Sequence, residues 1–343
     1  MRNAIIDSIL SLLVLLLLVP CAVPSAWVKG TASTILPGDG TGGFAENLEP
    51  SSQQQICYMT DSSNQPAPTT LLAVPDDNHH NKPWTLFNFQ ALEARHITSS
   101  GKDVLIAILD TGIDQTHKDL YGKVIESMNF SQSPTDSDLH GHGTHIAGII
   151  IAITTNEITG ITCNSYILNV KVTDDSDMVC PSTIAKGIVW AADNGANVIN
   201  MSFTLNKPTQ AVKNAVNYAW SQGVVVLSAA GNYRDSKPMY PAYYSNCISV
   251  TATDACGSMI PWVNHSDWVD VMAPGINIYS TLPDNSFGYK SGTSMATAYV
   301  AGVAGLLFTG AIDVNDNGFL NDEVRYMIEH DCADFGITRA VKQ

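Results

Sequence analysis

The sequence predicts an α/β fold of three layers, α/β/α, in which helices cover both faces of a mostly parallel central sheet. Apolar runs such as "VLIAIL" (104–109) and "VVVLSA" (224–229) have the length of strands that are buried on both faces. Amphipathic stretches of helical length alternate with these runs, as at 182–195. This alternation favours parallel strands joined by right-handed crossovers, and functional groups then collect at the carboxyl ends of the strands.

The individual elements follow from the same patterns. Further strands are predicted at 166–172, 196–202 and 247–252, and helices at 142–153, 182–195, 207–223 and 321–330. Helix 182–195 places Ile184, Ile188 and Ala192 on one face, and helix 207–223 spaces Ala211, Ala215 and Ala219 four residues apart. Both spacings are typical of helices that pack one side against a sheet.

The chain divides into three parts. Residues 1–25 carry Arg2 and then a short apolar run, which predicts a cleaved signal peptide, with a retained membrane anchor as the alternative. Residues 26–82 are rich in Gly, Ser, Gln and Pro and predict a pro-segment or flexible linker. Residues 83–343 form one predicted domain. We therefore expect a secreted, extracellular protein, with the periplasm or the cell surface as alternatives, and no stable membrane association once the signal is removed.

The net charge narrows the class of partner, and the cysteine content indicates whether disulfides are expected. The net charge of −15, from 32 acidic and 17 basic residues, argues against nucleic acid, which needs a basic surface. Beyond the signal peptide an even number of cysteines remains in an exported chain, so disulfides are expected although their pairing cannot be read. These residues are Cys57, Cys163, Cys180, Cys247, Cys256 and Cys332.

Four polar residues stand where chemistry is expected. Asp110 and Asn232 come just after buried strands, and each could equally serve only its own turn. "HGHGTHIAG" (140–148) holds three histidines, but zinc is disfavoured because neither an HExxH spacing nor a nearby cysteine is present. His142 at a helix start suits a general base. Ser294 in "SGTSMA" is either a helix cap or a nucleophile.

Five blocks in order resemble the subtilisin family of serine proteases, the subtilases: "ILDTGID", "HGTHIAG", "VINMS", "AAGN" and "SGTSMA". The resemblance covers residue 83 to near the C-terminus and implies a subtilisin-like fold. It implies that Asp110 orients the imidazole, that His142 is the base and that Ser294 is the nucleophile. Asn232 would stabilise the oxyanion together with the Ser294 N–H, and His140 and His145 would be structural.

The resemblance implies a secreted serine endopeptidase that acts on proteins or peptides, works as a monomer and needs no organic cofactor. Asp119 matches a position that binds calcium in many members, so calcium is a candidate structural ion. The stretch 313–324 resembles a calcium loop with its last acid misplaced, so we favour a polar turn there. The alternatives are a peptide ligase or transpeptidase on the same scaffold and an inactive homologue that acts as a binding module.

Two departures from the family pattern affect specificity. Ala298 and Tyr299 replace the usual Pro-His after "SMAT", and this change could shift the acyl-enzyme from reaction with water towards reaction with amines. Phe203, Thr204 and Leu205 replace the usual Leu-Gly-Gly that forms one wall of the substrate pocket. Pocket preference is therefore open, between a new specificity and an unchanged broad apolar pocket.

Overall fold

The computed structural model describes residues 101–153, 158–332 and 336–340, together with the two-residue strand Tyr58–Met59. The signal peptide predicted at 1–25 and nearly all of the segment predicted at 26–82 lie outside these residues, and so does the domain boundary placed at 83. Those three assignments stay predictions. In the described part, no helix is long and apolar enough to cross a membrane.

The core of the protein is an eight-stranded sheet with the order β12-β9-β8-β7-β6-β2-β4-β3. Its neighbouring strands pair in parallel except for β12, which runs antiparallel to β9. The eight strands are β2 (Leu105–Asp110), β3 (Val124–Asn129), β4 (Tyr166–Lys171), β6 (Val198–Met201), β7 (Val225–Ala229), β8 (Ile248–Thr253), β9 (Val271–Pro274) and β12 (Thr338–Arg339).

Two small antiparallel pairs lie outside this sheet. Strand β1 (Tyr58–Met59) pairs with β5 (Met178–Val179), and β10 (Ile278–Leu282) forms a hairpin with β11 (Ser286–Lys290).

Helices cover both faces of the sheet. They are α1 (His142–Ile151), α2 (Pro181–Asp193), α3 (Gln210–Ser221), α4 (Thr293–Phe308) and α5 (Asn321–His330). Because side chains alternate along a strand, Ile106 and Ile108 pack with α1, α4 and α5, whereas Ala107 and Leu109 pack with α2 and α3. This arrangement confirms the three-layer fold with a mostly parallel sheet.

Helix α4 is the central helix of its layer. It is buried from Thr293 to Leu306 and is apolar or small on every side, as expected for a helix enclosed by the core. It packs against α1 and against the strands β6 to β9. Its N-terminus lies at the carboxyl edge of the sheet, because the Ser294 hydroxyl donates to the carbonyl oxygen of Ser202, which directly follows β6.

The elements predicted from apolar runs and amphipathic stretches are present with ends shifted by a few residues, whereas several short or edge strands were not predicted. Strand β3 is an edge strand with half-exposed residues, so it lacks a continuous apolar run. Strand β9 has only four residues, and the β10–β11 hairpin alternates buried and exposed positions. Within the described ranges, no disulfide joins any two of Cys163, Cys247, Cys256 and Cys332.

Candidate active site

Asp110 is the last residue of β2 and lies on the face of the sheet that α1 and α4 cover. It is 2% exposed. Its Oδ1 accepts a hydrogen bond from the Thr111 backbone N–H at 2.8 Å and lies 2.7 Å from Nδ1 of His142. A buried carboxylate is costly unless hydrogen-bond donors satisfy it, and these two donors share one oxygen.

His142 is the first residue of α1 and is 6% exposed. Burial by itself lowers the pKa of His142, but the charge of Asp110 and its hydrogen bond outweigh burial and raise the pKa above its ordinary value. Lys290 opposes this rise and Asp177 adds to it. With Nδ1 donating to Asp110, the neutral ring presents Nε2 as its acceptor.

The glycine at position 143 allows α1 to pack closely against Asp110. A Cβ atom added to Gly143 would stand 2.1 Å from the carbonyl oxygen of Gly112 and 3.2 Å from Cβ of Asp110. Only a residue without a side chain permits this approach. Gly141, which precedes the helix, has a φ of 87°, the left-handed region that glycine adopts without strain.

Asp138 fixes the first turn of α1, a role that the sequence did not reveal. Its Oδ1 accepts from the Gly141 N–H at 2.7 Å and from the Thr111 hydroxyl at 2.9 Å, and its Oδ2 accepts from the Thr144 N–H at 2.8 Å. The Thr111 hydroxyl in turn accepts from the Gly143 N–H at 3.0 Å. One buried carboxylate thus joins the end of β2 to the start of α1.

Ser294 is the second residue of α4 and is 4% exposed. Its hydroxyl donates to the carbonyl oxygen of Ser202 at 3.0 Å, and no hydrogen bond joins it to His142 in the described structure. Ser202 directly follows β6, and Leu109 of β2 pairs with Met201 of β6. Asp110 and Ser202 therefore end neighbouring strands, which lie about 4.8 Å apart. His142 is hydrogen-bonded to the first of these residues and Ser294 to the second.

Asn232 lies against the same helix start. Its Oδ1 accepts from the Thr293 N–H at 2.9 Å, so its Nδ2 hydrogens remain available as donors. A Cβ added to Gly292 would stand 3.1 Å from that Nδ2, which places the amide beside the turn before Ser294. The Ser294 N–H is one of the first helical N–H groups, which have no partner within the helix. The Asn232 amide and the Ser294 N–H therefore both lie at the start of α4.

His145 has a structural role, as expected, although its hydrogen bonds leave the helix. It is fully buried, and its Nε2 lies 3.0 Å from the carbonyl oxygen of Ile278 and 3.2 Å from that of Gly288. Nε2 must carry the hydrogen because both neighbours are acceptors. Burial, followed by the charges of Lys290 and His142, lowers the pKa of His145 to about 3. His145 is therefore neutral and ties α1 to the β10–β11 hairpin.

Metal binding has little support in the described residues. These residues contain no group of three or more His, Cys, Asp or Glu side chains placed to hold a metal ion. Asp119 is fully buried, but residues 154–157 of the loop expected to share its calcium lie outside the described residues. At the polar turn, Asp313 accepts from the N–H groups of Asn317 and Gly318, as a turn-forming aspartate does. Calcium at Asp119 stays a prediction.

The segment that directly follows β6 is the one expected to form a wall of the substrate pocket, and it differs from an open wall lined by glycine. Phe203 and Leu205 are buried and belong to the core between the sheet and helices α2 and α3. Leu205 also pairs with Tyr240 in an isolated bridge, with N–H to carbonyl bonds of 2.6 and 2.9 Å. These side chains point into the core, so their presence explains how the segment is anchored and leaves pocket preference open.

Known proteins resemble this chain over the same region. The model of the subtilase family matches residues 101–341. The chain is 45% identical over 234 residues to the thermophilic serine proteinase of Bacillus sp. (strain AK1), covering 67% of this chain and 56% of that protein. It is 45% identical over 212 residues to thermitase of Thermoactinomyces vulgaris, covering 61% of this chain and 76% of that one.

A subtilisin shows the same relationship at lower identity. Subtilisin BL of Lederbergia lenta is 37% identical over 227 residues, which are 66% of this chain and 83% of that protein. The chain spans a little over half the length of the Bacillus sp. proteinase. Since the family match covers well over half of this chain and includes every site residue described above, the chain belongs to the subtilase family.

Proposed function

We propose that the chain is a secreted serine endopeptidase that hydrolyses peptide bonds through an acyl-enzyme. The observation that carries the proposal is the 2.7 Å hydrogen bond between Asp110 Oδ1 and His142 Nδ1 at the end of β2. The neighbouring strand β6 is followed by Ser202, whose carbonyl oxygen accepts from the Ser294 hydroxyl. Relatives that are named as serine proteinases or subtilisins support the same activity.

His142 would act as the base and then as the acid. Asp110 keeps the hydrogen on Nδ1, so the lone pair of Nε2 is free to accept the proton of the Ser294 hydroxyl. That hydroxyl now donates to the Ser202 carbonyl, and rotation about its Cα–Cβ bond releases it for attack on a peptide carbonyl. The proton then passes from His142 to the leaving amine, and water repeats the sequence to release the acid.

The start of α4 would stabilise the charge that develops on the attacked oxygen. The Ser294 N–H and Nδ2 of Asn232 would donate to this oxygen, and the 2.9 Å bond from the Thr293 N–H to Asn232 Oδ1 supports this role because it holds the amide at the start of α4. The positive end of the α4 dipole adds to the stabilisation because the helix begins at Thr293.

The test compares two serines that are three residues apart. Ser294→Ala should fold and lose hydrolysis of a peptide substrate by a factor on the order of 10⁶ in kcat, the size known for subtilisin itself. Ser291, whose hydroxyl accepts from the Asn277 N–H, provides the control, and Ser291→Ala should retain most of the activity. Full activity of Ser294→Ala would refute the proposal. An added amine acceptor tests the ligase alternative, since a ligase would form the amide as its main product.

Export and calcium are further parts of the proposal. Export rests on the sequence of residues 1–25, and N-terminal sequencing of protein from the medium would test removal of that segment. Calcium at Asp119 would stabilise the chain without entering the reaction, so a chelator should lower the melting temperature of the Ser294→Ala variant. We expect a monomer, which light scattering would test.

A further inference from the structure

Asn264 lies in the connection between β8 and β9 and is fully buried. Its side chain makes three hydrogen bonds to the main chain of residues 230–235, the turn that follows β7. Nδ2 donates to the carbonyl oxygen of Ala230 at 2.9 Å, and Oδ1 accepts from the N–H groups of Tyr233 at 2.9 Å and Asp235 at 3.0 Å. The main-chain N–H of Asn264 adds a fourth bond, to the carbonyl oxygen of Gly231 at 2.8 Å. Both lone pairs of Oδ1 are therefore used.

These four bonds lie on both sides of Asn232, the residue that would donate to the oxyanion. Two of them reach the residues before Asn232 and two reach the residues after it. The Asn232 side chain itself bonds to the start of α4, where its Oδ1 accepts from the Thr293 N–H at 2.9 Å. The Gly231 N–H also donates to the Thr293 hydroxyl, at 3.2 Å. Asn264 therefore holds the 230–235 turn on one side and α4 holds it on the other.

Hydrogen bonds, more than apolar packing, hold this turn in place. Tyr233 is 49% exposed and Arg234 is exposed as well. Arg234 has a φ of 52°, in the left-handed region that residues other than glycine seldom adopt. Its N–H donates at 3.0 Å to the carbonyl oxygen of Trp262, which lies in the same connection as Asn264. The shape of the turn therefore depends on the bonds that this connection supplies.

Asn264 is itself attached to the sheet. Its carbonyl oxygen accepts from the hydroxyl of Thr251 at 2.6 Å, and Thr251 is a buried residue of β8. The contact with the turn is close, since a Cβ atom added to Gly231 would stand 2.9 Å from Nδ2 of Asn264. Hydrogen bonds thus run without a break from β8 through Asn264 to the turn that carries Asn232.

We propose that Asn264 is a positioning residue for Asn232 and holds its amide where it can donate to the oxyanion. The inference rests on the proposed function, because only that reaction develops the charge. The side-chain bonds of Asn264 all go to the 230–235 turn, so Asn264 acts through Asn232 and not on the substrate. A donor must be in place before the reaction, and a misplacement of about 1 Å costs on the order of 10²-fold in rate. Loss of Asn264 therefore costs at most what loss of the Asn232 amide costs.

The kinetic experiment is a double-mutant cycle of Asn264→Ala and Asn232→Ala, measured on a peptide substrate. Asn264→Ala should lower kcat roughly 10–100-fold with little change in KM. In the Asn232→Ala background the same change should lower kcat less than about threefold, because the amide that Asn264 positions is already absent. A merely structural role would lower the amount of folded protein, and hence the rate, equally in both backgrounds. An equal loss in both, or no loss in the first, would overturn the proposal.

Asn321 provides a matched control. It is 3% exposed and lies in α5, where its Nδ2 donates to the carbonyl oxygen of Trp220 at 3.0 Å. Asn321→Ala also removes a buried amide and its hydrogen bond, so it should lower the melting temperature while kcat stays within about twofold of the parent. A loss of kcat as large as that of Asn264→Ala would contradict a specific role for Asn264.

Hydrogen exchange tests the positioning without any activity, in the full-length Ser294→Ala chain, which cannot digest itself. The N–H groups of Tyr233 and Asp235 should exchange at least about 100-fold more slowly than in a short peptide of the same sequence. Asn264→Ala should speed the exchange of both groups, whereas Asn321→Ala should not. Fast exchange of both groups in Ser294→Ala itself would overturn the proposal, even if Asn264→Ala does not fold.

The two failures can be told apart. A parent chain that does not hydrolyse the peptide would refute the proposed function and, with it, the catalytic purpose of Asn264. A parent chain that hydrolyses the peptide, together with an unchanged kcat in Asn264→Ala, would refute only the role of Asn264.

Discussion

The buried, neutral His145 should make the fold sensitive to acid. The ring has no exposure, its Nε2 donates to the β10–β11 hairpin, and its pKa is lowered to about 3. In the unfolded chain the pKa of a histidine is about 6.5. Below that value the unfolded chain binds a proton that the folded chain does not, so stability falls as the pH falls from 6.5 towards 3.

The magnitude follows from the two pKa values. One pKa unit corresponds to about 1.36 kcal/mol, so at pH 4.5, two units below the unfolded value, His145 should cost about 3 kcal/mol of unfolding free energy relative to pH 7.5. His142 acts in the opposite direction because its pKa is raised in the folded protein. Comparing the parent with a His145 variant at each pH cancels the contributions of His142 and of the carboxylates to the pH dependence of stability.

The assay is urea unfolding at pH 7.5 and pH 4.5 in the Ser294→Ala background, which prevents self-digestion. His145→Gln keeps an amide donor but cannot be protonated, so the difference in unfolding free energy between the parent and His145→Gln should move by about 3 kcal/mol in favour of the variant at the lower pH. His330→Gln, at an exposed histidine, is the matched control. A difference that does not change with pH would refute the assignment of His145 as a buried neutral residue.

Three further predictions concern activity. The acid limb of kcat/KM against pH should have its midpoint above 6.5, because His142 must be neutral to accept a proton and its pKa is raised. In Asp110→Asn this midpoint should move to lower pH, and an unmoved midpoint would contradict the pairing of Asp110 with His142. Asn232→Ala should lower kcat by about 10²–10³-fold with little change in KM, a range established on subtilisin itself, and an unchanged kcat would remove Asn232 from the oxyanion site. Gly143→Ala should lower kcat/KM by about 100-fold because its Cβ would push α1 away from Asp110, whereas Gly310→Ala, with open space around it, should not.

Buried and apolar elements could be predicted from the sequence because burial itself leaves a pattern. Strands β2 and β7 are buried nearly throughout, and their apolar runs stand out against the polar turns that follow. Strand β3 left no such pattern, since it lies at the sheet edge with half-exposed residues. The sequence also could not show that no disulfide joins Cys163 to Cys332 in the described residues, because pairing depends on distances in the folded chain.

The residues of the candidate site also divide into those that could be predicted from the sequence and those that could not. Asp110, His142, Asn232 and Ser294 could be named because each lies at a strand end or helix start within a short block that resembles the subtilases. Asp138 could not, because its role consists of bonds to Thr111 and to the first turn of α1 that only the fold brings together. The Ser202 carbonyl that holds the Ser294 hydroxyl is a main-chain group, which no residue type identifies in advance.

The central claim is that His142 activates the Ser294 hydroxyl as a nucleophile, and covalent labelling tests it most directly. The protein is treated with a fluorophosphonate, which reacts with activated serines, and the modified residue is located by peptide mass spectrometry. We predict one adduct, on Ser294, which forms at least about 100-fold more slowly in His142→Ala. Labelling at another serine, or an equal rate in His142→Ala, would contradict the claim.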